Sequence, residues 1–198
     1  MRIVISEFIS LDGVVQAPGG PEEDTDGGFA HGGWTHPFFD PEVVGGAFAA
    51  ATQQAAGLLF GRRTWRVMAD AWPGRAGDPF ADLMNSLPKY VVSDSLTEAD
   101  MTWNSTLLPG DKAVPRLREL AAAEGGDLVV MGSPSLVRTL LAEDLVDELT
   151  LIVMPVLLGG GKSIFPADGG LRTLELVATT TSPLGANVCT YRRATRRG

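Results

Sequence analysis

Two short apolar runs, Leu58–Leu59–Phe60 and Leu128–Val129–Val130–Met131, each close on a glycine and pass directly into a segment with helix-start chemistry. Runs of this length between turn signals read as strands buried on both faces, and the amphipathic stretch after each reads as a crossover helix. The same order recurs along the chain. Strands are expected over 2–9, 57–61, 88–92, near Met101–Asn104, over 128–131 and over 147–157. Helices are expected from Asp40–Pro41–Glu42 to Ala56, over Arg62–Ala71, over Lys112–Ala123 and from Pro134 onward. A capping carboxylate, a proline and an acid make 40–42 a strong helix start. Gly45 and Gly46 weaken the middle of that helix by roughly 1 kcal/mol each, and Pro115 is tolerable in the next-but-one helix only near its start. The last third changes to consecutive strands, 172–181 and 187–193, which can pair through Ser182–Ala186. Such an order fits a mixed sheet flanked by helices better than a helical bundle or a β-sandwich.

A chain of 198 residues with 44% hydrophobic content fits one compact domain with a substantial core. The formal charge of -8 argues against a broad nucleic-acid-binding face while leaving room for a local anion pocket. Arg192, Arg193, Arg196 and Arg197 read as a solvated end. Cys189 is the sole cysteine, so no internal disulfide can form, and its apolar, alternating surroundings predict a buried thiol. No signal-like amino terminus and no apolar stretch long enough to cross a membrane are present, and a cytoplasmic location is expected. His31 and His36 lack the companions that a metal site needs, so no metal is expected. The long polar excursion 16–37 reads as an elaborated loop of the kind that covers a binding site.

Both strand–glycine–helix junctions carry groups that suit anionic oxygens. At the first, Gly61 allows close backbone approach, and the helix-start N–H groups, Thr64, Arg62 and Arg63 can receive phosphate. At the second, Gly132, Ser133 and Ser135 surround another helix start, with Ser133 also placed to cap a helix whose first residue is Pro134. Each junction taken alone is equally the composition of an ordinary strand-to-helix turn. Together they favour a dinucleotide site, with Ser93 and Ser95 after a third strand able to meet ribose or phosphate. Familiar alternatives fail: no GxGxxG fingerprint occurs, and Gly159–Ser163 is not a P-loop because Val156 stands where its first glycine belongs. Lys162 there reads as a turn lysine, and no nucleophile elbow supports hydrolysis.

In this order, Ser10–Gly13, Phe60–Trp65, Lys89–Ser93, Val130–Leu136 and Leu145–Phe165 make the chain resemble the dihydrofolate reductase superfamily. The resemblance is to stand-alone proteins similar to the carboxy-terminal reductase domain of bifunctional riboflavin-biosynthesis deaminase/reductases. It implies an α/β, three-layer, dihydrofolate-reductase-like fold, a central mixed β-sheet flanked by helices, and an NADPH cleft across the strand ends. By similarity, Gly61, Arg62 and Thr64 map to the cofactor-phosphate junction, with Arg62 the candidate contact for the extra phosphate, Ser93 maps to the adenosine portion, and Gly132, Ser133 and Ser135 to the pyrophosphate; Arg63 stays a candidate from its place at the junction. The family's paired glycine stands here as Met131–Gly132. Asp12, Asp40 and Glu42 are the candidate catalytic acids, against turn and capping roles for the first two. Trp34, Phe38 and Trp72 are the candidate ring-packing residues, against ordinary core packing. The implied activity is hydride transfer from NADPH to a small conjugated heterocycle, such as a pterin or a riboflavin-pathway pyrimidine. A noncatalytic nucleotide-binding protein and a flavin-binding redox protein are the alternatives, and a homodimer is expected from the resemblance.

Overall fold

The computed structural model describes residues 1–75 and 77–194. Their strands are β1 (Arg2–Ser10), β2 (Ala55–Gly61), β3 (Lys89–Val92), β4 (Ser105–Leu108), β5 (Asp127–Val130), β6 (Glu148–Met154), β7 (Leu174–Thr181) and β8 (Asn187–Arg193). The helices are α1 (Gly46–Gln53), α2 (Arg62–Ala71), α3 (Pro79–Ser86), α4 (Gly110–Ala122) and α5 (Pro134–Ala142). The strands join into one sheet in the order β4-β3-β2-β5-β1-β6-β8-β7. Strands β4 to β6 along that order run parallel, and β8 and β7 are antiparallel additions at one edge.

The helices divide between the two faces. Ile3, Ile5, Leu59, Leu128 and Val130 pack with Leu117 and Leu120 of α4 and with Val137 and Leu140 of α5. On the opposite face Leu58, Phe60, Val91 and Val129 pack with Trp65 of α2 and Met84 of α3. The neighbouring strands β2 and β5 therefore lead into helices on opposite faces. In an open α/β sheet the crevice at such a switch point, outside the carboxyl ends of the strands, is where ligands bind.

Several elements differ from their sequence expectation. The start at Asp40 holds: its carboxylate accepts the Val43 N–H at 2.6 Å. The first turn, Pro41–Gly45, is a π-turn, and the helix ends at Gln53 because Ala55 already pairs with Asp127 of β5. The fourth strand lies at Ser105–Leu108 rather than Met101–Asn104, since Trp103 and Asn104 both adopt left-handed backbone (φ 54° and 53°). Trp103 is instead a loop plug whose Nε1–H donates to Asn85 Oδ1 at 2.7 Å. Helix α3 was not expected, although Asp78–Pro79 starts it as Asp40–Pro41 starts its own; Asp78 Oδ1 accepts the Phe80 and Ala81 N–H groups at 3.0 and 2.9 Å. Pro115 lies within α4. Cys189 is half-buried, not enclosed, because its strand is covered on one side by the edge strand β7, every residue of which is exposed. Of the terminal arginines, Arg192 pairs with Glu148 at 3.1 Å and Arg193 with Asp144, while Arg196 and Arg197 fall outside the described residues. No helix among the described residues is long and apolar enough to cross a membrane.

Candidate functional site

The two glycine junctions touch. The Ser133 hydroxyl accepts the Gly61 N–H at 2.7 Å, bridging the carboxyl ends of β5 and β2. Ser133 occupies the residue before α5, as expected of a cap, yet its side chain makes no capping bond to that helix. The reason is its backbone: φ of 67° turns the hydroxyl away from the α5 N–H groups and toward the neighbouring strand. Left-handed conformation at a non-glycine residue costs of order 1–3 kcal/mol and persists where its surroundings enforce it. Gly132 precedes it at φ 77°, and a Cβ there would lie 2.8 Å from Thr64 Cγ2, so the residue must be glycine for α2 and the β5 turn to meet.

This contact floors a cleft of about 720 Å³ lined by Gly61, Arg62, Arg63, Thr64, Ser93, Ser95, Ser133 and Ser135, among others. Ser93 is buried, and its hydroxyl already accepts the Ser95 and Leu96 N–H groups, both at 3.1 Å. Its own O–H can donate into the cleft or to the Ser95 hydroxyl 3.5 Å away. Ser135 and Ser95 are exposed. The N-termini of α2 and α5 thus open on one crevice, and the partial positive charge of both helix ends falls within it.

The excursion after β1 closes one end. Asp24 and Lys162 line the cleft there, and Lys162 Nζ donates to Asp24 Oδ2 at 2.5 Å and to Asp26 Oδ2 at 2.9 Å. Gln16 ties the same strands, accepting the Lys162 N–H at 3.1 Å and donating to the Asp24 and Asp26 carbonyls at 3.0 Å. Arg63 forms an ion pair with Asp26. Lys162 is therefore a fastening for the loop rather than a free turn lysine.

The candidate acids and aromatics are placed differently from the phosphate-type residues, and none of them lines this cleft. Asp12 is exposed and holds the turn after β6: it accepts the Ser10 hydroxyl at 2.5 Å and the Gly159 N–H at 2.7 Å. Those two bonds, the hydroxyl first, hold its carboxyl below the usual range. Asp40 is engaged as a helix cap, and Glu42 is exposed. Trp34 is buried against Val44, Ile152 and Met154, its Nε1–H donating to Gln16 O at 2.7 Å. Phe38 packs partly on that cluster. Trp72 stacks edge-on with Phe80 on the α2–α3 face and is crossed by Arg75, so it serves packing there.

Two buried ionisable groups went unread in the sequence. Lys89 is fully buried, donates to Asn85 O at 2.9 Å, and lies 4.1 Å from the Trp103 ring; burial brings its pKa down to about 8. Glu7 of β1 is 4% exposed, and its Oε1 has no hydrogen-bond partner. Burial pushes its carboxyl up to about 8, against a hydrogen bond from the Gly132 backbone that lowers it and the nearby Glu23 that raises it further. The signal was available: a lone acid inside the apolar run Ile3–Ile9 is expensive unless it is neutral or used.

An open α/β sheet with two helix starts meeting at its switch point, extended by an antiparallel hairpin, is a dihydrofolate-reductase-like fold. Solved structures share the fold. A putative riboflavin biosynthesis protein from Shewanella sp. PV-4 aligns with a TM-score of 0.75 and 23% identity, covering 98% of this chain and 100% of the other. A pyrimidine reductase-like protein from Corynebacterium diphtheriae gives 0.68 at 15% identity, with 98% and 92% covered. Dihydrofolate reductase from Enterococcus faecalis, complexed with NADP(H) and RAB-propyl, gives 0.62 at 15% identity, with 98% and 97% covered. Residues 2–190 match the RibD C-terminal domain, and the chain belongs to that family. An uncharacterized Bacillus subtilis protein, YyaP, is 27% identical over 195 residues, spanning 96% of this chain and 94% of the other.

Proposed function

We propose that the chain is an NADPH-dependent reductase of a small conjugated heterocycle, with the cofactor lying along the cleft between α2 and α5. The observation that carries this is the Gly61 N–H to Ser133 hydroxyl bond, which fuses two helix-start anion sites into one. A single junction suits one phosphate, whereas two fused junctions at a switch point suit a dinucleotide. The donor set fits such a group. Thr64, Ser133 and Ser135 offer hydroxyls, and Arg62 borders the cleft without an ion pair among the described residues. Arg62 would hold the extra phosphate, the α2 and α5 N–H groups the pyrophosphate, and Ser93 and Ser95 the adenosine side. Bound there, the cofactor supplies the hydride; the chain orients it and excludes water.

The strand order gives the site a direction. Ser93 follows β3, Gly61 ends β2 and Ser133 follows β5, so the redox end falls one strand further along, beside β1. We also propose a homodimer through the edge strand β7, whose Leu174, Leu176 and Val177 are exposed; light scattering on the purified chain checks it.

The test is a fluorescence titration with NADPH, followed by its oxidation over a panel of pterins, pyrimidines and quinones. Binding with turnover of at least one acceptor supports the proposal. Tight binding with no turnover across the panel makes this a noncatalytic nucleotide-binding member, and no binding removes the assignment altogether.

A further inference from the structure

We infer that Glu7 is the proton donor of the reductive step, a role that rests on the reductase reading above. β1 pairs with β5 through Ile5 and no further, because β5 turns away at Gly132, whereas on its other side β1 stays paired with β6 through Ser10. Glu7 stands at this fork, on the strand next to β5, about 4.8 Å across in an ordinary sheet. Its carboxyl meets the backbone of Gly132, the residue before Ser133, whose hydroxyl floors the cleft. A dinucleotide running from β3 over β2 and β5 has its reactive ring at this position.

Glu7 also stands out by elimination. Asp12 gives both oxygens to backbone N–H groups, Asp40 gives one to its helix start, Glu42 is in solvent, and Asp24 at the end of the cleft is held by Lys162. Ser6 and Glu7 hold the buried side-chain oxygens left unpartnered among the described residues, and of the two Glu7 is the acid. A buried polar atom without a partner costs about 1–3 kcal/mol, a penalty that a ligand can remove. Burial keeps this carboxyl protonated at neutral pH, so it carries the proton that reduction consumes.

In the step, Glu7 would give its proton to a substrate nitrogen whose C=N carbon receives the hydride that bound NADPH would supply. The O–H bond of Glu7 and the donor's C–H bond would break, an N–H and a C–H bond would form as C=N becomes single, and the donor would be left oxidised by two electrons. The carboxylate left behind regains its proton from solvent.

The experiment measures dissociation constants of NADPH and NADP⁺ from pH 6 to about 9 for the wild-type chain, Glu7→Gln and Glu23→Gln. The two ligands share every phosphate, so their ratio isolates the charge on the ring. An ionised Glu7 beside that ring favours NADP⁺. The wild-type ratio should shift toward NADP⁺ by at least about fivefold as the pH passes 8. Glu7→Gln should flatten it, and Glu23→Gln, which removes the other carboxyl acting on Glu7, should keep it. Glutamine matches the shape and neutrality of the acid, and an NADPH affinity within about threefold of wild type shows the site intact, leaving any acceptor reduced about 100-fold more slowly. A wild-type ratio flat with pH, a slope lost in Glu23→Gln but kept in Glu7→Gln, or an unchanged rate in Glu7→Gln overturns the proton-donor role while leaving the reductase standing. Failure of both nucleotides to bind overturns both.

Discussion

Ser133 answers to two demands at once: its backbone is left-handed, and its hydroxyl must reach Gly61. Ser133→Ala keeps the strain and orphans the Gly61 N–H, so urea unfolding should show a loss of about 1–2 kcal/mol. Ser133→Gly loses the same bond but relieves the backbone, and should be less damaging by about 1 kcal/mol. If alanine and glycine prove equally harmful, the strain argument fails. Arg62 is tested by selectivity instead. Arg62→Ala should weaken NADPH about tenfold or more, as loss of a charge-assisted contact does, while NADH affinity stays nearly constant; parallel weakening of both would move the extra phosphate elsewhere. Glu7 makes a claim about stability as well. Its folded pKa, about 8, stands above the 4.5 of a carboxyl in the open chain, because burial disfavours the charged form. The folded state therefore binds more protons between those values, and this residue's contribution to stability falls as pH rises through that window, by up to about 1.4 kcal/mol per unit. Relative to the wild type, Glu7→Gln should gain stability from pH 5 to 8; thermal melts that run parallel across this range contradict the assignment.

At the level of elements, the loop between β1 and α1 is fastened to the segment after β6 by partly exposed pairs at Lys162. Such pairs contribute about 0–1 kcal/mol each to stability. Lys162→Met should therefore leave the urea midpoint nearly unchanged while speeding proteolysis within residues 17–33, and a large drop in global stability would show the loop to be part of the core. Local signals made most elements legible: the carboxylate–proline start at Asp40, the glycine closing β2 and the serine before α5 each mark a real boundary. Elements failed where tertiary contacts decide. Met101–Asn104 has strand-like composition, but Trp103 is drawn out of the sheet direction by Asn85 and Phe60. The phosphate-type residues could be gathered from sequence because each follows a strand end, and parallel strands bring their carboxyl ends to one edge. The acids could not, since whether a carboxylate caps a turn, as at Asp12, or is buried with one oxygen unpartnered, as at Glu7, depends on segments 125 or more positions away: Gly159 for the first and Gly132 for the second.

For the molecule as a whole, the sheet order matters more than the number of strands. β1 lies inside the sheet with β5 and β6 as neighbours, and Arg2 bridges to Asp127 on one side and Glu148 on the other. A fragment ending at residue 125 retains α1 to α4 but lacks both neighbours, and should show no cooperative thermal transition by circular dichroism; a sharp transition would mean that the amino-terminal part folds by itself. The same geometry bears on synthesis. β1 is made well before both strands that flank it and must wait for them, because they are made from Asp127 onward. During translation an apolar ribbon carrying an acid that only burial will neutralise stays uncovered, so the surroundings of β1 are completed late and the nascent chain is exposed to chaperones until then.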